Sequence, residues 1–301
     1  MSHVTTEGLH DQAVGLDTRS PTEVATLLAS AQVDAARAVS GAGDAIAAGA
    51  KAMADAIRNG GSLYYTAAGS SGLMAAADAM ELGGTFGIEA DRIHIVMAGG
   101  LPTSADMPGD TEDAADELPA AFADMSDRDA MIAVTASGST PFTIKAASMA
   151  RAKGATVIGI ANNAGAPLFD LSQHPVFLAT PPEILSGSTR MGAGTAQKIA
   201  LNMMSTLMAM DLGHVHDGMM VNLRADNQKL RERARRMVCL IADVSDDRAA
   251  RALGEADGAV KTAVLIAAGA DAAAAMMELK NSGGHLRPAL ENVRARARVS
   301  Q

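Results

Sequence analysis

The sequence predicts an α/β protein, a three-layer αβα sandwich around a five-stranded, mostly parallel sheet, followed by a small all-helical domain. Short apolar runs alternate with Ala-rich helical runs as far as Ala179, which is typical of a parallel sheet covered by helices on both faces. Several apolar runs end in Gly- and Ser-rich turns at which a helix starts. From Arg190 onward the pattern is helical. We therefore expect two domains, 1–245 and 246–301.

The first helices begin at Ser20-Pro21-Thr22-Glu23, where a hydroxyl, a proline and an acid form a helix start. The pattern continues to Arg58 as two helices, split near Ser40-Gly41-Ala42-Gly43, and Asn59-Gly60-Gly61 ends it. The elements expected next are strand 63–68, helix 72–82, strand 93–98, helix 114–125, strand 130–136, helix 142–153, strands 156–161 and 176–179, and helix 190–212. Short Ala-rich helices separated by glycines make up 246–298.

The stretch from Gly61 to Met74 organises the chain, because a buried strand passes through Gly69-Ser70-Ser71-Gly72 into a helix. A helix start presents free backbone N–H groups and the positive end of the helix dipole, so this turn can hold an anion. It contains no Lys or Arg, and it matches neither GxxxxGK[ST] nor GxGxxG. Any parallel-sheet protein has such turns, so this one alone fits a structural turn as well as a site.

Two further turns repeat this arrangement. Ser137-Gly138-Ser139-Thr140-Pro141 follows an apolar run, and Pro141 suits the first position of a helix. Ser186-Gly187-Ser188-Thr189 opens the long helical run. Ligands of parallel sheets bind at the carboxyl ends of the strands. Three hydroxyl-rich helix starts, each with backbone and hydroxyl donors, therefore predict a phosphate held without a metal.

Composition narrows the classes of partner. The net charge of −9 argues against nucleic acid or an anionic membrane as the partner, and aromatic residues are only 2%, too few for base stacking. The single Cys239 fits a reducing compartment. No signal peptide or spanning segment is apparent, so we expect a cytoplasmic protein. One Cys and no HExxH pattern predict no metal site and no cofactor.

The motifs resemble the sugar isomerase (SIS) domain family, and within it the N-acetylmuramic acid 6-phosphate etherases. The stretches that carry the resemblance lie in order over residues 6–240 and include Thr6-Glu7-Gly8, Ala68-Gly69-Ser70-Ser71-Gly72, Asp78-Ala79-Met80-Glu81, Glu112-Asp113, Ala136-Ser137-Gly138-Ser139-Thr140-Pro141 and Asn227-Gln228-Lys229-Leu230. The most specific is Ser186-Gly187-Ser188-Thr189-Arg190-Met191-Gly192-Ala193-Gly194-Thr195-Ala196-Gln197-Lys198.

The resemblance implies a carbon–oxygen lyase without a metal. It would cleave the lactyl ether of N-acetylmuramic acid 6-phosphate by elimination and water addition, giving N-acetylglucosamine 6-phosphate and D-lactate. The two glutamates of the family fall on Glu81 and Glu112. Phosphate contacts of the family fall on Ser71, Ser137, Ser139, Thr140, Ser188 and Thr189, and we expect Ser70, Arg190 and Lys198 to contribute to phosphosugar binding as well.

Chemistry agrees in part with these roles, since elimination needs a base for a weakly acidic C–H and an acid for the leaving oxygen, and two carboxyls can do both. Glu112 lies just beyond the end of a strand, where it would serve equally well as an acid complementing a helix dipole. Glu81 lies about 15 Å along the helix from Ser71. We expect Glu81 to serve a site completed by a second subunit; the alternative is an exposed acid at the end of a helix.

Three departures from the family concern the ligand. The family usually has a basic residue at Leu73, an Arg at Ser139 and a Lys at Gly192, so three cations are missing here. Arg190 and Lys198 remain, although Lys198 also fits a surface lysine lying along an apolar face.

The missing cations leave the sugar phosphate open. Two alternative functions stay open. One is a phosphosugar aldose–ketose isomerase, which also needs a carboxylate base; the other, favoured by the missing cations, is a non-catalytic phosphosugar-binding regulator, related as the glucokinase regulatory protein is. The Ala- and Met-rich helices predict a homodimer or a higher homo-oligomer.

Overall fold

The computed structural model describes residues 5–107 and 111–299. A five-stranded sheet with the strand order β2-β1-β3-β4-β5 forms its centre, and every neighbouring pair of strands is parallel. Its strands are β1 (Leu63–Ala67), β2 (Ile93–Met97), β3 (Ala130–Thr135), β4 (Thr156–Ala161) and β5 (His174–Phe177). The predicted five-stranded parallel sheet is confirmed.

Helices connect and follow the strands. They are α1 (Pro21–Ala38), α2 (Gly43–Arg58), α3 (Gly69–Phe86), α4 (Leu118–Ala121), α5 (Pro141–Ala152), α6 (Pro167–Asp170), α7 (Gly192–Asp211), α8 (Gln228–Ala242), α9 (Asp246–Glu255), α10 (Val260–Ala267), α11 (Ala272–Asn281) and α12 (Leu286–Val299). A two-residue hairpin, β6 (Val215–His216) with β7 (Met219–Met220), was not expected from the sequence. No single helix of the described residues is long and apolar enough to cross a membrane.

Two helices differ from their predicted lengths. The predicted helix 114–125 is a single turn, α4, and Pro119 at its start lacks the N–H that a helix extending upstream would need. Helix α3 begins before Gly72 and continues past Leu82 to Phe86. Glycines there cost about 1 kcal/mol each in a helix, but the continuation buries both Leu82 and Phe86.

The chain divides into two compact units. One contains the residues through Met80 together with Asp91–Leu207, and the other contains Glu81–Ala90 and the residues from Met208 onward. The predicted boundary near Ser245 separates two independently folding domains, and it stays a prediction.

The sheet fixes the helices of the first unit through apolar packing and one buried polar network. All six residues of β3 are buried. The Tyr65 hydroxyl of β1 donates to Asp78 Oδ2 of α3 at 3.0 Å. Asp78 Oδ1 accepts from Asn202 Nδ2 at 2.7 Å and from the Ser205 hydroxyl at 2.9 Å, both on α7. Burial and the proximity of Asp78 raise the pKa of Tyr65 well above its usual value. This network joins β1, α3 and α7.

The second unit has its own core. Helices α8 to α12 bury a cluster of aliphatic side chains that includes Val238, Val264 and Leu265. Lys261 Nζ donates to the carbonyls of Gly284 at 3.0 Å and Gly213 at 3.3 Å. Burial lowers the pKa of Lys261 to about 8.

Candidate active site

A cavity of about 210 Å³ lies beyond the carboxyl ends of β1 and β3. Residues from each of the three predicted turns line it, together with a loop carboxylate and part of the N-terminal segment. The lining residues are Thr6, Glu7, Ala68, Ser70, Ser71, Glu112, Thr135, Ala136, Ser137, Thr140 and Thr189. The structure therefore brings the three turns to one shared cavity.

The first turn supplies the free backbone donors. Gly69 has a φ of +53°, a conformation that favours glycine, and it starts helix α3 directly after β1. Within residues 5–107 and 111–299, the N–H groups of Gly69, Ser70 and Ser71 have no hydrogen-bond acceptor. Ser71 is buried and Ser70 is half-buried. This helix start can therefore donate both backbone and hydroxyl hydrogen bonds to an anion.

The second turn contributes hydroxyls but few backbone donors. Thr135 Oγ1 lies 2.8 Å from Thr140 Oγ1 and 3.3 Å from Ser137 Oγ, and it accepts from the N–H of Gly138. The N–H of Ser139 donates to Ser137 Oγ at 3.2 Å. The next helix position, Pro141, has no N–H. The N–H groups of Gly138 and Ser139 are thus used within the turn, whereas no hydrogen bond among the described residues uses the N–H of Thr140.

The third turn differs most from its prediction. The carboxylate of Glu183, which is only 5% exposed, accepts from the N–H of Gly192 at 2.9 Å and of Ala193 at 2.8 Å. A protein carboxylate therefore already occupies the N-terminus of α7, where we expected a ligand anion. Thr189 reaches the cavity, whereas its own N–H donates to the carbonyl of Gly187.

Glu183 also lies next to Gly192, the position of one of the three missing cations. A Cβ at Gly192 would lie 3.1 Å from Glu183 Oε2 and 3.3 Å from Ala35 Cβ. Position 192, where the family usually has Lys, is thus packed against a buried carboxylate. Nothing in the local sequence pattern around Pro181-Pro182-Glu183 indicated this role.

Glu112 places a carboxylate beside the free donors of the first turn. Its Oε1 lies 2.6 Å from the point that a Cβ on Gly69 would occupy. Its backbone carbonyl accepts from the N–H of Phe142 at 3.0 Å, which ties the loop to the start of α5. The side chain is exposed and lines the cavity.

The N-terminal segment forms another wall. Thr6 is 4% exposed and its N–H donates to Asn163 Oδ1 at 3.2 Å. Asn163 Nδ2 donates in turn to Thr6 Oγ1 at 2.9 Å and to the carbonyl of Ser137 at 3.1 Å. Sequence reasoning included Thr6-Glu7-Gly8 in the resemblance but assigned it no part in the site.

The remaining predicted site residues do not line this cavity. Ser139 and Arg190 are exposed, and Ser188 is half-buried. Lys198 is exposed and lines a separate, apolar groove on α7 with Met203 and Leu207. Glu81 is exposed on α3. The functional roles expected for all these residues stay predictions.

The described lining of the cavity carries the carboxylates Glu7 and Glu112 and no Lys or Arg. Affinity for an anion would therefore depend on neutral N–H and O–H donors. Among the residues that the structure describes, no group of three or more His, Cys, Asp or Glu side chains could hold a metal ion.

Comparison with known proteins shows extensive similarity. Residues 28–162 match the SIS domain. The chain is 42% identical over 288 residues to the N-acetylmuramic acid 6-phosphate etherase of Deinococcus radiodurans, covering 95% of this chain and 94% of that protein. It is 38% identical over 292 residues to the etherase of Streptomyces avermitilis, covering 95% and 93%. The solved structure of the c3406 protein of E. coli CFT073 shares the fold, with a TM-score of 0.50 at 14% identity over 66% of this chain and 97% of that one.

Proposed function

Because this chain belongs to the N-acetylmuramic acid 6-phosphate etherase family, we propose that it is a carbon–oxygen lyase that cleaves the D-lactyl ether of an aminosugar 6-phosphate. The observation that carries the proposal in this chain is the cavity in which Ser71, Ser137, Thr140 and Thr189 meet the carboxylate of Glu112. The proposal is supported because four of the expected phosphosugar contacts and one of the two expected glutamates line the same cavity.

The phosphate binds at the first turn in this proposal. The N–H groups of Gly69, Ser70 and Ser71 and the start of α3 provide the strongest set of unoccupied donors, and the hydroxyls of Ser137 and Thr140 add to it. Each hydrogen bond to a charged group is worth about 1.5–3 kcal/mol. The other expected phosphosugar contacts, Ser139, Ser188, Arg190 and Lys198, are secondary here because they do not line the cavity.

The reaction has two stages, elimination and water addition, and each stage needs two proton transfers. In the elimination, a carboxylate removes the proton from C2 of the sugar while the C3–O bond breaks, and a carboxylic acid protonates the departing lactyl oxygen. In the addition, the carboxylate formed from that acid takes a proton from water as the hydroxyl adds to C3, and C2 regains its proton. The products are the aminosugar 6-phosphate and D-lactate. Glu112 and Glu81 share these transfers, each serving as acid or base in turn.

Glu81 fits this scheme when a second copy of the chain completes the site. It is exposed on α3, about 15 Å along the helix from Ser71, and helix α3 also exposes Leu73 and Met80. The adjoining helix α7 exposes Met203 and Leu207 beside Lys198. Exposed apolar side chains on two contacting helices are typical of an interface, so we propose a homodimer or higher homo-oligomer whose copies share the site.

Mixing inactive variants tests this assembly. Glu112→Gln and Glu81→Gln should each abolish turnover alone, whereas mixed subunits should regain part of it because one shared site then has both carboxylates. No recovery after proven subunit exchange, or a monomer by light scattering, would remove the role of Glu81 at a shared site.

The single cysteine further supports a cytoplasmic location, which cell fractionation tests.

A coupled assay for D-lactate tests the activity itself. The wild-type chain should release D-lactate from N-acetylmuramic acid 6-phosphate, and Glu112→Gln should not. Since no cation is found in the described lining of the cavity, a binding-only regulator is the second candidate. Binding of a 6-phosphosugar in a thermal-shift assay without any D-lactate release would favour the regulator, and ketose formation from an aldose phosphate would favour an isomerase.

A further inference from the structure

The segment around Glu7 is anchored as a permanent part of the cavity wall. Thr6 is held by its hydrogen bonds with Asn163. The Ser186 hydroxyl lies within 3.4 Å of the Glu7 carbonyl and 3.3 Å of the Gly8 carbonyl and can donate to them. A Cβ on Gly8 would lie 3.1 Å from the carbonyl of Thr5 and 3.3 Å from Pro182, so the chain passes close to its neighbours here. The backbone of Glu7 is therefore fixed between the second and third turns.

Unlike its anchored backbone, the side chain of Glu7 is exposed, and Glu7 lines the cavity. Its Oε2 lies 3.5 Å from the point that a Cβ on Gly187 would occupy, which places the carboxylate at the third turn. Glu112 lies at the first turn, against Gly69. The fixed backbone of Glu7 thus presents a charged acceptor group to the cavity.

Each end of the cavity carries one carboxylate, Glu112 at the first turn and Glu7 at the third, so the two ends differ in their free backbone donors. The first turn offers unoccupied N–H donors and the end of a helix dipole, which favour an anion. The N–H groups of Thr189, Gly192 and Ala193 at the third turn are already used, and Glu7 adds negative charge there. A carboxylate repels a phosphate but accepts hydrogen bonds from hydroxyl and amide groups.

We infer that Glu7 is a specificity-determining residue that binds the sugar ring of the ligand directly. Its carboxylate accepts hydrogen bonds from ring hydroxyl or amide donors and directs the phosphate to the turn at Gly69–Ser71. Each ligand is thereby held in one orientation. This inference rests on the proposed function only in taking the ligand to be a phosphosugar.

Binding of two probes to variants of the full chain tests it. Calorimetry compares N-acetylglucosamine 6-phosphate with inorganic phosphate. Glu7→Ala should weaken binding of the sugar phosphate by about tenfold or more, since a hydrogen bond to a charged group is lost. The same variant should bind inorganic phosphate as tightly as the wild type or more tightly, because a negative charge has been removed. Glu255→Gln, an exposed acid of α9, should change neither affinity.

A second variant separates positioning from folding. Asn163→Ala keeps the Glu7 carboxylate but releases Thr6. It should therefore also weaken binding of the sugar phosphate and leave binding of inorganic phosphate unchanged. If Glu7→Ala weakens binding of both probes equally, or leaves the affinity for the sugar phosphate unchanged, the inference is overturned. Wild-type D-lactate release is measured separately. Its absence together with Glu7-dependent binding would refute the proposed activity alone, and its presence with Glu7-independent binding would refute this inference alone.

Discussion

Gly69→Ala tests whether the position of the Glu112 carboxylate controls turnover. Gly69 has a φ of +53°, and a Cβ there would lie 2.6 Å from Glu112 Oε1. Ordinary contacts begin at 3.4 Å, so the carboxylate has to move by roughly 0.8 Å or more. The atom that moves is the end of a flexible side chain, so the steric cost to folding is small while the displacement at the site is large.

The size of both effects follows from this geometry. An alanine in the left-handed conformation costs about 1–2 kcal/mol, which lowers the melting temperature by a few degrees in a protein of this size. A displacement of about 1 Å in an active site reduces turnover by as much as 100-fold. We therefore expect Gly69→Ala to reduce kcat about 10- to 100-fold.

Gly165→Ala is the matched control. Gly165 has a φ of +67° and no atom within 4 Å of its notional Cβ, so this variant carries the same backbone strain without a contact to Glu112. D-lactate release and thermal unfolding are measured for both variants. If they lose similar stability but Gly69→Ala turns over within twofold of Gly165→Ala, the reasoning about Glu112 is refuted.

Three other predictions concern the ligand, the buried network and pH. Ser139→Arg adds a cation to the second turn, next to the cavity, and should tighten binding of a 6-phosphosugar about tenfold by calorimetry; unchanged or weaker binding would contradict a phosphate within reach of position 139. Asp78→Ala removes the acceptor of the buried Tyr65 hydroxyl and of the half-buried Asn202 amide, and leaves the Ser205 hydroxyl only the Asn202 carbonyl; it should lower the free energy of unfolding by about 3 kcal/mol or more in urea, against less than about 0.5 kcal/mol for the exposed Asp91→Ala. Lys261, whose folded pKa of about 8 lies below its usual 10.5, binds its proton more readily when unfolded. The free energy of unfolding should therefore gain a contribution of about 3 kcal/mol between about pH 8 and 10.5, and Lys261→Met should lack this rise.

The order of strands and helices could be predicted because local periodicity and helix-start residues express it directly. The errors arose where distant packing outweighed local preference. Helix α3 continues through Gly83-Gly84 because Phe86 becomes buried. The length of α4 was a different kind of error, because Pro119 is a local signal against a helix extending upstream of it.

In the site, too, the local features could be predicted from the sequence and the contacts between distant segments could not. The three hydroxyl-rich turns were recognisable because strand ends and helix starts have local signatures. Which of their N–H groups remain free was not recognisable, because Glu183 meets α7 from outside the helix. The contact between Thr6 and Asn163 joins residues 157 apart in the chain, a separation at which no local pattern carries information.

The sequence by itself determined a parallel sheet with hydroxyl-bearing turns at its carboxyl edge, since these features depend on residues close together in the chain. Only the tertiary structure decided that the first turn keeps its donors while the third gives two to Glu183, and that Glu7 faces the cavity. An N–H group that donates to the protein is no longer free for a ligand, and its acceptor can come from a segment that it meets only after the chain has folded.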